Sequence, residues 1–202
     1  EEEEEEEEEV DPSIILEADA DVSPLQEMGD SSREPNDSDY EAAGNAKSQA
    51  MEALGEGNHA AAVEHYTTAI KLTPSALGYA NRGACFLSMK KPLAAIRDAS
   101  KALEMNPDSG KAFKVRGKAY AALGKWIDAA KDIGQGQNID YDESTWEVQK
   151  HVEQKMEMVH KRDAKRKLKE EANAKKRQEK LRKQRAKEAK REAAGAAGGG
   201  FP

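Results

Sequence analysis

The 202-residue sequence has little of what a chain of this length needs to bury itself. Hydrophobic residues make up 37% and aromatics 5%, too little apolar side chain for one core through the whole length. A single cysteine, Cys85, excludes an internal disulfide and fits a reducing compartment. It stands between Ala84 and Phe86, where it reads as a small packed residue. No apolar run approaches bilayer-spanning length and no signal peptide is visible, so a cytoplasmic protein is expected. His59, His65, His151 and His160 share no metal-ligand spacing with the cysteine or with carboxylates. Gly55-Glu56-Gly57 follows no strand and so is no phosphate loop. No nucleophile motif occurs. These absences point away from an enzyme, a metal or a cofactor.

Charge, by contrast, is abundant and unevenly spread. Residues 1–42 carry 19 acidic and one basic side chain, residues 43–143 carry 11 and 13, and residues 144–202 carry 9 and 18. An acidic arm, a near-neutral centre and a basic tail sum to the net charge of −7. The arm opens with nine glutamates, then mixes Asp, Ser and three prolines through Asp39, and residues 1–39 read as disordered. Glu8-Glu9-Val10-Asp11 matches the acidic tail captured by some repeat domains. Here it is internal and followed by Pro12, without the terminal carboxylate. The start at Glu1 and the end at Gly198-Gly199-Gly200-Phe201-Pro202 read as those of an excised fragment.

In the centre, one pattern of small residues occurs three times: Ala50, Ala62, Ala69; Gly83, Ala95, Ala102; Gly117, Ala129, Gly136. The triplets step by 33 and then 34 residues. That period, with two helices per unit, is the signature of tetratricopeptide repeats. Small residues are needed where paired helices approach within about 8–9 Å. Helices are expected at 43–54, 59–72, 76–89, 92–105, 111–123 and 126–139, with the first starting near Tyr40 behind Asp39 as N-cap. Leu54, Tyr66, Phe86, Leu87, Tyr120 and Leu123 would fill the space beside the close crossings. The fold class predicted is an all-α tetratricopeptide-repeat α-solenoid of three helix pairs, with repeats at about 43–75, 76–109 and 110–143. A capping helix over 144–160 would turn Trp146, Val152, Met156 and Val159 toward the third repeat. It would extend into a long charged helix over 161–194, without a heptad seam, and a glycine-rich linker would start at 195.

Several stretches carry a closer likeness. Pro24-Leu25-Gln26-Glu27-Met28-Gly29-Asp30, Lys91-Pro92-Leu93-Ala94-Ala95-Ile96-Arg97-Asp98, Arg116-Gly117-Lys118-Ala119, Leu123-Gly124-Lys125-Trp126 and Ile139-Asp140-Tyr141-Asp142-Glu143 resemble the Hip cochaperone family. The closing Gly-Gly-Phe-Pro is similar to the start of that family's linker. The resemblance implies a non-enzymatic partner of heat-shock protein 70 that grips the nucleotide-binding domain in its ADP state, slows nucleotide release and prolongs substrate holding. It also implies homodimerisation in the full-length protein through an N-terminal segment outside these residues. Plant relatives carry a thioredoxin domain after the repeats, which these 202 residues do not contain.

Among repeat domains, acidic chaperone tails are held by a carboxylate clamp of two Lys, two Asn and an Arg. Lys47, Asn81 and Lys111 occupy three of its positions, but Met51 and Val115 stand where the second Asn and the Arg would be. Apolar groups cannot donate to a carboxylate, so docking on a folded chaperone domain is favoured over tail capture. The candidate partner-binding residues are Lys47, Asn81, Lys111, Lys114 and Lys118 in the repeats, with Lys155, Lys161, Arg162, Lys165 and Arg166 beyond them. Singly, most of these fit solvated helix surface; together they form a positive face for an acidic partner. No membrane partner is expected. Lys175-Lys176-Arg177 and Leu181-Arg182-Lys183-Gln184-Arg185 leave open a nucleic-acid or nuclear-targeting role. The interspersed glutamates and missing aromatics argue against it.

Overall fold

The structure, a computed structural model, describes residues 25–197. Its helices are α1 Asp37–Gly55, α2 His59–Leu72, α3 Ala76–Ser88, α4 Pro92–Met105, α5 Gly110–Ala122, α6 Trp126–Ile139 and α7 Glu143–Ala197. No strand occurs among the described residues. The chain divides into two units, one ending at Met156 and one beginning at Glu157. In the first, α1–α2, α3–α4 and α5–α6 form three antiparallel pairs.

Each helix boundary has a local cause. α1 begins three residues before the expected start, because Asn36 rather than Asp39 is its cap. The Asn36 side chain accepts the Asp39 N–H at 2.9 Å while the Asp39 carboxylate accepts the Asn36 N–H at 3.0 Å, a reciprocal capping box. Asn58, Ser75 and Ser109 cap α2, α3 and α5 in the same sense. α4 has no side-chain cap and opens on Pro92, where no backbone donor is lost. At the far ends Thr73, Asn106 and Asp140 donate their N–H to Ala69, Ala102 and Gly136, the last small residue of each triplet. Between the helices of each pair, Gly57, Lys90 and Gly124 adopt φ of 74°, 58° and 68°. Lys90 alone carries the Cβ penalty of the left-handed region, about 1–2 kcal/mol.

The nine small positions are all buried, and the glycines among them differ in how much they are needed. A Cβ on Gly117 would lie 2.6 Å from Ile133 Cγ1 and 2.9 Å from the Ile133 nitrogen. On Gly136 it would lie 2.9 Å from the Gly110 carbonyl oxygen. On Gly83 the nearest atoms are 3.3 Å away. Tyr66, Ile70, Tyr79, Phe86 and Ile133 are buried around the crossings, and Leu54, Leu87, Tyr120 and Leu123 are half-buried beside them.

Two expectations need correction. Residues 1–24 of the segment expected to be disordered lie outside the described residues, but 25–36 do not behave as a free tail. Gln26 Nε2 donates to the Ala94 carbonyl at 2.8 Å and to Asp98 Oδ1 at 3.1 Å. The Glu27 carbonyl accepts from Arg82 Nη1 at 2.8 Å, and the Gly29 N–H donates to the Tyr79 hydroxyl at 2.9 Å. The physical reason is beneath them: Arg82 and Asp98 form an ion pair with both side chains 0% exposed, and the extended lead-in supplies the partners that water would otherwise supply. The second correction concerns the cap. Trp146 is 46% exposed, whereas Thr145 and Val152 are fully buried. The first turns of α7 therefore pack through Thr145 and Val152, with the His151 ring edge-on to Trp126 at 5.9 Å. Met156 and Val159 are half-buried.

In the second unit α7 continues without a packing stripe. Leu168 and Leu181 are 67% and 49% exposed, and the helix carries i,i+4 pairs Glu157–Lys161 at 2.8 Å and Glu179–Lys183 at 2.6 Å. It stays helical through Gly195, where the linker was expected to begin, to Ala197; residues 198–202 lie outside the described residues.

The crossing distances generate a paired prediction. Gly117→Ala forces a Cβ onto the Ile133 backbone and should lose about 1–3 kcal/mol in chemical denaturation. Gly83→Ala meets only tight contacts and gains helix propensity of about 1 kcal/mol, so it should fall within about 1 kcal/mol of neutral. Equal losses at both sites would contradict the packing described.

Candidate partner-binding surface

The residues picked out as partner-binding fall into separate environments. Asn81 on α3 and Lys111 at the start of α5 lie near Tyr66 and Cys85. Burial pushes the Tyr66 hydroxyl above its usual range, Cys85 adds to the rise, and a hydrogen bond with Asn81 opposes it. The Cys85 thiol is likewise raised by burial, with Lys111 pulling the other way. A buried thiol with raised pKa is inert, in keeping with a packing role. The Asn81 Oδ1 atom is shielded from solvent and has no hydrogen-bond partner. Lys111 is exposed.

Lys47 sits elsewhere. It is half-buried and lines a cleft of about 340 Å³ with Ser31, Arg33, Tyr40, Pro74 and Met105. The lead-in thus forms one wall of the cleft beside Lys47.

The two apolar exchanges in the clamp have different consequences. Met51 is 68% exposed, so its position offers surface but no donor. Val115 is 6% exposed and belongs to the cluster of Phe86, Ala95, Ala99 and Ala119. The place where an arginine would reach for a carboxylate is here part of the hydrophobic core.

Lys114 and Lys118, one helical turn apart on α5, have opposite fates. Lys114 is buried, and its Nζ lies 2.6 Å from Asp142 and 3.5 Å from Asp140. The structure therefore makes Lys114 an internal strut, not the free contact expected of it. Asp142 in turn accepts the Thr145 N–H at 2.7 Å and the Ser144 hydroxyl at 2.6 Å, which caps α7. Hydrogen bonding from Lys114, then from Ser144 and Thr145, holds the Asp142 carboxyl well below the usual carboxylate range. Lys118 is half-buried with no ion pair among the described residues. Burial lowers its ammonium pKa, with Asp142 opposing and Lys114 adding to the effect. A half-desolvated cation without a partner favours an incoming anion.

Lys155, at the end of the first unit, is half-buried. Lys161, Arg162, Lys165 and Arg166 belong to the second unit and are exposed on α7. Lys161 pairs with Glu157, while Arg162 and Arg166 approach Asp163 at 3.7 and 3.4 Å. No helix among the described residues is long and apolar enough to cross a membrane.

Sequence reasoning passed over the Arg82–Asp98 and Arg116–Asp132 pairs. Arg116 Nε lies 2.6 Å from Asp132, and each Arg is separated from its Asp by 16 residues. The signal was present as an Arg beside each repeat glycine and an Asp three residues past the next alanine, at Gly83 and Gly117.

No family profile matches the chain. It is 43% identical over 164 residues to the TPR repeat-containing thioredoxin TDX of Arabidopsis thaliana, covering 80% of this chain and 43% of that protein. It is 42% identical over 139 residues to Hsc70-interacting protein 1 of Drosophila melanogaster, covering 68% and 36%. The chain thus spans less than half the length of these curated relatives. Among solved structures, the Arabidopsis OM64 TPR domain aligns with a TM-score of 0.55 at 28% identity, over 57% of this chain and 98% of that one. The second TPR domain of human RPAP3, in complex with the HSP70 peptide SGPTIEEVD, aligns with a TM-score of 0.53 at 26% identity, over 57% and 98%.

The Asp142 environment makes a pH-dependent prediction. Asp142→Ala removes both the α7 cap and the 2.6 Å partner of buried Lys114, and at neutral pH should cost more than the ~1 kcal/mol of a cap alone. Because the folded carboxyl titrates below its unfolded value of about 4, its contribution is full above that pH and fades as pH falls through the folded value. The stability difference between wild type and variant should therefore shrink on acidification, measured by urea denaturation across pH. A difference that grows toward low pH would contradict the assignment.

With three helix pairs, buried small residues at a 33- to 34-residue step and repeat-domain neighbours, the chain is a tetratricopeptide-repeat α-solenoid.

Proposed function

We propose that the chain is a non-enzymatic cochaperone whose repeats bind the nucleotide-binding domain of a heat-shock protein 70 chaperone and favour its ADP state. The observation that carries this reading is the burial of Val115 in the core, which leaves the carboxylate clamp without its arginine. A surface that cannot close on a chain terminus is suited to a folded face. The likeness to Hsc70-interacting protein 1 supports a partner of that chaperone class.

Binding works by linkage. If the surface around Lys111 and Lys118 prefers the ADP-bound conformation, ADP and this chain must tighten each other's binding by the same factor, typically about 1–3 kcal/mol. To the extent that the tightening falls on the off-rate, nucleotide release slows and substrate is held longer. The cations of α7, with Lys155, Lys161, Arg162, Lys165 and Arg166, add attraction for an acidic face and speed encounter.

A second reading, capture of an acidic chaperone tail, is favoured by the exposed Lys111 near Cys85 and by the peptide complex of the RPAP3 domain.

Calorimetry with the isolated nucleotide-binding domain, in ADP and in ATP, distinguishes the two. Binding should be tighter in ADP by about fivefold or more, and Lys118→Glu should weaken it about tenfold. A peptide ending in Glu-Glu-Val-Asp should bind weakly. Equal affinity in both nucleotides, with tight peptide binding, would overturn the proposal in favour of tail capture.

A further inference from the structure

We infer that the third repeat carries an open copy of the groove that the lead-in fills on the second. The copy takes an extended segment of a partner protein with an amide residue followed by a basic one. The chain itself supplies the template. On the second repeat, Arg82 grips Asp98 with Nε and Nη2 at 2.7 and 2.8 Å, and its Nη1 donates to Thr67 Oγ1 at 2.9 Å and to the Glu27 carbonyl of the lead-in at 2.8 Å. The guanidinium lies 5.7 Å from the Tyr79 ring centroid.

One repeat later the same parts recur at the same step. Arg116 grips Asp132 through Nε and Nη2 at 2.6 and 3.0 Å, lies 5.8 Å from the Phe113 ring centroid, and approaches Ser100, the counterpart of Thr67, at 3.5 Å. No described segment covers it. The Arg82 side chain is 0% exposed and that of Arg116 is 23% exposed. The counterpart of the fork that meets a main-chain carbonyl on the second repeat meets only the Ser100 hydroxyl among the described residues, and its side chain keeps part of its surface in solvent. Extended peptides are held through such main-chain hydrogen bonds and selected by flanking side chains.

The flanking residues say which segment fits. Gln26 of the lead-in bonds Asp98 and Arg97; Asp132 and Lys131 hold those places on the third repeat, so an amide side chain fits again. Glu27 pairs with Lys71 at 2.8 Å, but the counterpart of Lys71 is Glu104, which calls for a basic residue. Phe113 lacks the hydroxyl that Tyr79 offers to the Gly29 N–H, so the copy forms one hydrogen bond fewer.

The test uses the full chain and two fluorescent peptides, Pro-Leu-Gln-Lys-Met-Gly-Asp and Pro-Leu-Gln-Glu-Met-Gly-Asp, read by polarisation. The lysine peptide should bind saturably, tighter than about 1 mM, and better than the glutamate peptide. Glu104 is exposed and, among the described residues, pairs at the surface with Lys101, so Glu104→Lys should keep the melting temperature while reversing the preference by roughly threefold or more. Arg116→Lys should weaken both peptides. Failure of the lysine peptide to saturate would overturn the inference. So would lysine-peptide binding that Glu104→Lys leaves unchanged, because the peptide would then be displacing the lead-in from the second repeat.

Discussion

The Arg82–Asp98 ion pair is the constraint around which the first unit is arranged. Both side chains are wholly buried between α3 and α4, a location where charge is tolerated only with every hydrogen-bonding group satisfied. The repeats alone do not meet that condition. Thr67 from the preceding pair takes one donor, and the lead-in delivers a carbonyl, a thioether and an amide to the rest. The lead-in is thereby bound to the repeats by their own electrostatics, and the glycine at its end is fixed by contact. A Cβ on Gly29 would come within 2.2 Å of the Ile70 carbonyl oxygen.

The same logic divides the surface lysines. Lys114 is drawn inward by Asp142 and Asp140, which ties the third repeat to the start of α7. Lys118, one turn on, is half-desolvated without such a partner, and Lys111 is exposed. A partner with acidic groups would complete at Lys118 what Asp142 completes at Lys114. The array is closed inside by its own carboxylates, and the cations left outside are those proposed to meet a partner.

Much of the fold could be read from residue spacing, because close helix crossings demand small side chains at fixed intervals. The bounds of α2, α4 and α6 follow from their caps and breakers and coincide with those expected. The start of α1 was misplaced because Asp39 is a good N-cap and also a good third residue of a capping box, and local sequence does not separate these roles. Composition alone points to disorder in the lead-in, since few of its residues are apolar; its order comes from hydrogen bonds to Arg82, Tyr79 and Asp98 some 50 to 70 positions away. Hydrophobicity points to Trp146 for the packed face, yet the buried positions near the start of α7 are Thr145 and Val152. In the site, the loss of the clamp arginine at Val115 was legible, whereas the pairing of Lys114 depended on where Asp142 lies in space.

The lead-in is part of the folded repeat unit, and its removal tests this most directly. Thermal unfolding of the full chain should be compared with that of a chain beginning at Asn36, which keeps the α1 cap but lacks the segment over Arg82. Loss of hydrogen bonds to a buried ion pair should cost about 2 kcal/mol and lower Tm by roughly 5 °C. A truncated chain that melts within about a degree of the original would show that water satisfies Arg82 as well as the lead-in does, and would contradict the account.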